Sequence, residues 1–259
     1  MRRIWLHVGV STLLVLGLTA LGGGSDTGEF RSDADEICTD AAEQTNEVLN
    51  ELGVAQSVED DVAITEALLP IREESLSQLE DLDPPRKLRS DYEDFLSLTE
   101  DRIANDEAFL EAAAAGDQDA IDRLTAEVQR ITADRREVGR ALGFKACAEK
   151  LPKKEEKKVR AVMEETVTEA DPAFCTEKYT ENFVESVGGL EACETAESDP
   201  ANAADSIEIE SVRGIAKIYA IVVLVPEGGP NDGQAGEFEL VYADGVYKRE
   251  AIFAAPPAD

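Results

Sequence analysis

The chain has 259 residues, with 56 Asp and Glu against 25 Lys and Arg, and its formal net charge is −31. A surface this negative excludes nucleic acid and anionic lipid as partners, because phosphate binding needs clustered Lys and Arg. The single histidine is His7, in the N-terminal apolar segment, so imidazole catalysis and histidine-ligated metals are excluded from the rest of the chain.

Residues 1–24 have the layout of an export signal, in which Arg2 and Arg3 precede a mainly apolar stretch over residues 4–21. The end of that stretch resembles a bacterial lipoprotein signal, with Leu21 at the position of the lipidated cysteine. We predict either a cleaved signal peptide or an uncleaved membrane anchor, since about 18 apolar residues just span a bilayer. The predicted location is extracytoplasmic: secreted, or tethered to the outer face of the cytoplasmic membrane.

Residues 32–150 contain four segments in which apolar residues recur at spacings of three and four, which predicts four helices. A capping pattern at Ser32 and Asp33 begins the first helix, and Pro70 predicts a kink in the second. The helices are predicted to end at Gly53, at Asp83-Pro84-Pro85, at Gly116 and at Gly143. Four amphipathic helices with short connections are expected to form an antiparallel four-helix bundle.

Arg135 interrupts the apolar seam of the fourth helix. It either binds an anion inside the bundle or extends its long side chain to solvent from near the helix end; we favour the second interpretation, the ordinary behaviour of arginine. The bundle has no Glu-x-x-His pair for a di-metal centre, and the acidic run Glu59-Asp60-Asp61 lacks the oxygen spacing of a calcium loop. No metal and no cofactor are predicted.

Residues 151–170 are predicted to form a solvated linker helix, and residues 171–255 a small α+β domain. Its helix begins at Asp171-Pro172, continues to Val187 and ends at Gly188-Gly189. Strands are predicted at 207–210, at 215–225 as a central strand, at 237–242, and at 246–253 after a tight turn at Asp244-Gly245. The predicted fold class is therefore α+β, with the helical bundle followed by a helix-plus-antiparallel-sheet domain.

The four cysteines are Cys38, Cys147, Cys175 and Cys193. An exported chain should oxidise them, and three pairings are open. We predict Cys38–Cys147 and Cys175–Cys193, because each bridge then lies within one domain. In an up-and-down bundle the start of the first helix and the end of the fourth lie at one end, where Cys38 and Cys147 are found.

Two family resemblances accompany these patterns. Residues 171–175 opening a helix, Cys193, and strands that end in 244–248 resemble small nuclear-transport-factor-2-like (NTF2-like) domains of exported actinobacterial proteins, with Tyr247 in place of the usual Trp. The first half, with residues 143–147 near its end, resembles helical regions of actinobacterial lipoproteins. The NTF2-like resemblance implies a cone-shaped fold with a paired Cys175 and Cys193. For a pocket in such a cone, the candidate lining residues are Tyr179, Phe183, Tyr219 and Phe238.

These features favour a non-catalytic exported cell-envelope protein, a module that binds an unidentified protein or small-molecule ligand and meets the membrane only through its N-terminal segment. The alternative is an enzyme that uses a buried carboxylate of raised pKa in the cone. Its candidate acids are Glu208, Glu210, Glu237 and Glu239, which strand alternation predicts to face water.

Overall fold

A computed structural model describes residues 26–53, 55 and 57–254. The predicted export segment, residues 1–24, lies outside this range. Among the described residues, no helix combines the length and apolarity needed to cross a membrane.

Four long helices form the first part of the described chain. They are α1 (Thr27–Leu52), α2 (Val58–Glu80), α3 (Arg89–Ala115) and α4 (Gln118–Leu142). The first begins before the predicted cap at Ser32, because Asp26 accepts a hydrogen bond from the N–H of Gly28. Pro70 lies inside α2, which continues to Glu80, and left-handed glycines end α3 and α4 as expected. Each helix packs on the next one in chain order.

The segment after α4 returns to the start of α1. Cys147 forms a disulfide with Cys38, as predicted. The Asp35 carboxylate accepts the backbone N–H groups of Lys145 and Ala146, both at 2.8 Å. These charge-assisted bonds satisfy backbone donors that the turn would otherwise leave open. The disulfide and the Asp35 bonds together hold the end of the helical region against its beginning.

Four shorter helices follow: α5 (Lys153–Thr168), α6 (Phe174–Glu177), α7 (Glu181–Ser186) and α8 (Leu190–Glu197). The predicted single helix from Asp171 to Val187 is wrong, because the chain breaks between α6 and α7. At the break, Arg249 donates its N–H to the Lys178 carbonyl at 2.8 Å, and Thr180 donates to the Arg249 carbonyl at 3.0 Å. Pairing with the last strand therefore replaces helical bonds here. The Cys175–Cys193 bridge joins α6 to α8, as predicted.

A four-stranded antiparallel sheet in the order β1-β2-β3-β4 completes the described chain. The strands are β1 (Ser206–Ile215), β2 (Tyr219–Glu227), β3 (Gly236–Ala243) and β4 (Val246–Ala254). The central strand starts at Tyr219 rather than Ile215, because the chain turns between them with Lys217 at φ 64°. The turn at Asp244 and Gly245 has positive φ at both positions, which is the geometry predicted from that dipeptide.

Both faces of the sheet carry protein. On one face, Val222 and Leu240 pack with Val159 and Met163 of α5, all fully buried. The predicted helix is present and most of its charged run, residues 153–158, is exposed, but it is not solvated on all sides, because its apolar stripe at 159 and 163 covers the sheet. On the other face, Ile215 joins the buried cluster of the long helices. The α+β class is confirmed, whereas the four-helix bundle, the cone and the domain boundaries stay predictions.

Candidate functional site

A cavity of about 260 Å³ lies between the long helices and the second face of the sheet. We call it the arginine cavity, because it is lined by Arg72 of α2, Arg102 of α3 and Arg135 of α4. Three successive helices each contribute one guanidinium, since they pack side by side in chain order. The cavity wall also includes the Cys38–Cys147 disulfide.

One carboxylate, that of Asp106, pairs with two of these arginines. Asp106 is 4% exposed and accepts from Arg72 Nη1 and, at 3.2 and 3.3 Å, from Arg102 Nε. Arg102 Nη1 also donates to the Thr132 hydroxyl at 3.0 Å. Arg72 and Arg102 are thereby held in fixed orientations at the cavity wall.

The guanidinium of Arg135 lies in the cavity rather than reaching solvent at the helix end. Its Nε donates to Thr99 Oγ1 at 3.0 Å, and its Cζ lies 4.7 Å from the centroid of the Phe95 ring. Its Nη2 is 3.9 Å from Cys38 Sγ. Thr99 and Phe95 are both buried, so the charge is enclosed by a hydroxyl, a ring and a disulfide. The favoured interpretation of a side chain that reaches solvent is wrong.

Among the described residues, the guanidinium of Arg135 has no carboxylate within ion-pair distance, although Glu149 and Glu239 also line the cavity. In the part of the chain that the structure describes, the only carboxylate within ion-pair distance of the three guanidiniums is that of Asp106. Burial, with the charges of Arg102 and Arg135, lowers the pKa of Arg72 to about 10. Burial also lowers the pKa of Arg135. A bound anion would offset both effects, since it favours the charged form of each guanidinium.

Tyr219 and Glu149 also line the cavity, and the charge of Glu149 partly opposes the lowering of the pKa of Arg135 by burial. Burial raises the pKa of Tyr219 well above its usual value, and a hydrogen bond with Glu149 adds to the rise. Glu149 already pairs with Arg136 at 3.0 Å and with Arg213 at 3.4 Å, measured from carboxylate oxygen to guanidinium nitrogen. Its charge is therefore shared with arginines outside the cavity lining.

Glu239 lies between the sheet and the long helices, in the wall of the same cavity. Burial, reinforced by the charges of Glu250 and Glu237 and opposed by that of Arg213, raises its pKa to about 7. The prediction that Glu239 faces water is wrong, because helices cover its face of the sheet. Two of the other candidate acids, Glu208 and Glu210, are exposed as predicted.

A second cavity, of about 390 Å³, adjoins the first. We call it the acidic cavity, because its charged lining residues among those described are Asp61, Glu239 and Glu250. The two cavities share three wall residues: Asn46, Leu49 and Glu239. In the described chain, no three His, Cys, Asp or Glu side chains come together in a way that could hold a metal ion.

The four predicted pocket residues line three different cavities. Tyr219 lines the arginine cavity, whereas Phe183 and Phe238 line another cavity of about 500 Å³ with Arg249. Tyr179 lines a third cavity, of about 700 Å³. The Cζ of Arg249 is 5.4, 5.3 and 4.7 Å from the ring centroids of Tyr179, Phe183 and Phe238. Three of the four aromatics thus enclose one arginine that sequence reasoning did not single out.

No known family, curated protein or solved structure matches the chain. The two disulfides fit an extracytoplasmic protein.

Proposed function

We propose that this protein is a non-catalytic, extracytoplasmic binding protein that takes a small anion into the arginine cavity. The observation that carries the proposal is the buried guanidinium of Arg135. Asp106 pairs with Arg72 and Arg102, whereas Arg135 has no carboxylate within ion-pair distance among the described residues. Buried arginines are costly unless paired, and a guanidinium binds carboxylate or phosphate through two parallel hydrogen bonds.

The size of the arginine cavity favours a small ligand. Its volume of about 260 Å³ lies just below the usual range of small-molecule sites, which begins near 300 Å³. Its walls combine the arginines with apolar side chains such as Ile71, Ile103 and Ile215. A short organic carboxylate or a phosphate suits this mixture of charge and apolar surface.

Two observations support the proposed extracytoplasmic location. The basic and apolar N-terminal segment has the layout of an export signal, and both disulfides fit an oxidising compartment. Secretion, or a tether formed by residues 1–24, is part of the proposal. So are the four-helix bundle and the NTF2-like cone, for which the helix order and the antiparallel sheet provide support.

The test is calorimetric titration and thermal unfolding with inorganic phosphate, butanoate and butanedioate. At a concentration 100 times its Kd, a ligand stabilises the folded state by about 2.7 kcal/mol, which raises Tm by roughly 5–10 °C in a protein of this size. Arg135→Met should abolish that rise, and Arg135→Lys should restore part of it. Arg140→Met is the control, because Arg140 is an exposed residue of the same helix. Failure of all three anions to bind the wild-type protein would refute the proposal.

The alternative function is a carboxylate-based enzyme, for which the single favourable observation is the pKa of about 7 at Glu239. A general acid or base works best near the operating pH. Phosphate and carboxylate esters of p-nitrophenol test this function. Turnover that is present in the wild-type protein and lost in Glu239→Gln would establish that the protein is an enzyme. Equal background rates in both proteins would refute the enzyme and keep the binding function as the proposal.

A further inference from the structure

We infer that the ligand is a zwitterion, whose ammonium group lies in the acidic cavity while its carboxylate or phosphate lies in the arginine cavity. This inference rests on the proposed function and names the class of its ligand. It combines the guanidiniums of one cavity and the carboxylates of the adjoining one with a buried carboxylate oxygen that has no hydrogen-bond partner among the described residues.

The two cavities form neighbouring compartments of one site. Asn46 and Leu49 of α1 and Glu239 of β3 line both of them. A ligand anchored by the arginines therefore meets Glu239 and then the acidic cavity if its chain extends past Asn46. The site as a whole is positive at one end and negative at the other.

Glu250 gives the acidic cavity a specific hydrogen-bond acceptor. The residue is 8% exposed and lines the cavity. Its Oε1 accepts from Asn182 Nδ2 at 3.0 Å, whereas its Oε2 is buried without a hydrogen-bond partner among the described residues. That oxygen is not exposed to the open space of the cavity, so the carboxylate must rotate toward the cavity before a ligand can donate to it. A ligand donor would then pair an oxygen that is otherwise buried and unsatisfied, which is unfavourable.

The rest of the acidic cavity suits an alkyl ammonium group. Glu239 and Glu250 provide carboxylates from neighbouring strands, and Asp61 adds a third at an exposed position of α2. Asn46 and Asn50 add amide oxygens, and an ammonium group has three donors to share among such acceptors. Methylene groups can lie on the apolar part of the lining, which consists of Leu49, Ile64 and Val241.

An organic cation fits the acidic cavity better than a metal ion. Its carboxylates do not form a set that could hold a metal. Its volume of about 390 Å³ also exceeds what one ion and its ligands need. A bound ammonium would also lessen the repulsion between Glu239 and Glu250, one of the causes of the raised pKa of Glu239.

The experiment is calorimetric titration of the oxidised protein with matched probes. Butanoate is compared with 4-aminobutanoate, hexanoate with 6-aminohexanoate, and ethyl phosphate with 2-aminoethyl phosphate. Butylamine serves as the cation alone. We expect at least one zwitterion to bind about tenfold more tightly than its matched anion, as one added hydrogen bond between charged groups supplies. The zwitterion that gains affinity shows whether the arginines take carboxylate or phosphate.

Glu250→Gln assigns the gain to the acidic cavity. It keeps the acceptor for Asn182 and the shape of the side chain, so folding should be preserved, and it should return the zwitterion to the affinity of its matched anion. Glu208→Gln is the control, because Glu208 is an exposed carboxylate of the same sheet and should change neither affinity.

The outcomes separate this inference from the proposed function. Equal affinities for an anion and its amino derivative, or a zwitterion gain that survives Glu250→Gln, overturn the inference and leave the anion-binding function standing. Binding of butylamine without binding of any anion refutes the proposed function, and the zwitterion with it. Tight zwitterion binding that is lost in both Glu250→Gln and Arg135→Met supports both.

Discussion

Glu239 provides the sharpest test of the electrostatics, because its carboxyl has a pKa of about 7 against an ordinary value of 4.5. The difference of about 2.5 units corresponds to roughly 3 kcal/mol, at about 1.36 kcal/mol per unit. Below pH 4.5 this carboxyl is protonated in both the folded and the unfolded chain, so its burial as a neutral group does not lower the free energy of unfolding. As the pH rises from 4.5 through 7, the unfolded chain ionises first, so the free energy of unfolding falls.

Glu239→Gln removes this loss, since the amide is neutral at every pH. We expect the variant to be more stable than the wild-type protein by about 3 kcal/mol at pH 8, and by about 1 kcal/mol or less at pH 5. Urea unfolding with the disulfides intact measures both values, and a constant m-value would show that the unfolded state is unchanged.

The matched control is Glu208→Gln, which removes an exposed carboxylate from the same sheet. It should shift stability by less than about 0.5 kcal/mol at either pH. If the two variants behave alike, or if Glu239→Gln has the same effect at pH 5 as at pH 8, then Glu239 is not a desolvated carboxylate and the reasoning is refuted.

Three further predictions concern the framework around the site. Replacing Cys38 and Cys147 by serine removes a cross-link between residues 109 positions apart, which restricts the unfolded chain. The replacement should lower the free energy of unfolding, measured in urea, by about 4–5 kcal/mol. A loss below about 1 kcal/mol would contradict this explanation. Asp35→Ala leaves backbone N–H groups of the turn after α4 unpaired and should lower the free energy of unfolding by about 1.5–3 kcal/mol. Asp40→Ala, at an exposed position of α1, is the control and should change it little. Equal losses in the two variants would contradict the role of Asp35. Gly214 has φ 147°, and in Gly214→Ala the added Cβ would meet the backbone of β2. The variant should lose about 3 kcal/mol of stability, measured by thermal unfolding. An unchanged Tm would contradict this and show that the end of the strand adjusts.

The periodicity of the chain is sufficient to predict the five longest helices, α1 to α5, and most of the strands. Glycines at 116 and 143 end helices because they adopt the left-handed conformation, and that signal is local. The break between α6 and α7 was missed because Lys178 and Thr180 bond to Arg249, about 70 residues away in sequence. Helical spacing reports a local preference and contains no information about such a distant partner.

The candidate site was less predictable for a similar reason. Arg135 drew attention because it breaks an apolar seam, whereas Arg72 and Arg102 become significant only when α2, α3 and α4 bring them together. Alternation assigned Glu239 to the correct face of β3, opposite the buried Phe238 and Leu240. It could not show that helices cover that face, since a strand pattern describes a surface and not its neighbour.

The position of the Cys38–Cys147 bridge links disulfide formation to the geometry of the proposed anion site. Its sulfur atoms form part of the wall of the arginine cavity, next to the guanidinium of Arg135. A newly synthesised chain with free thiols lacks the link that fixes this wall, so it would hold the three arginines less firmly. The proposed anion site would then reach its full affinity only where the chain is oxidised.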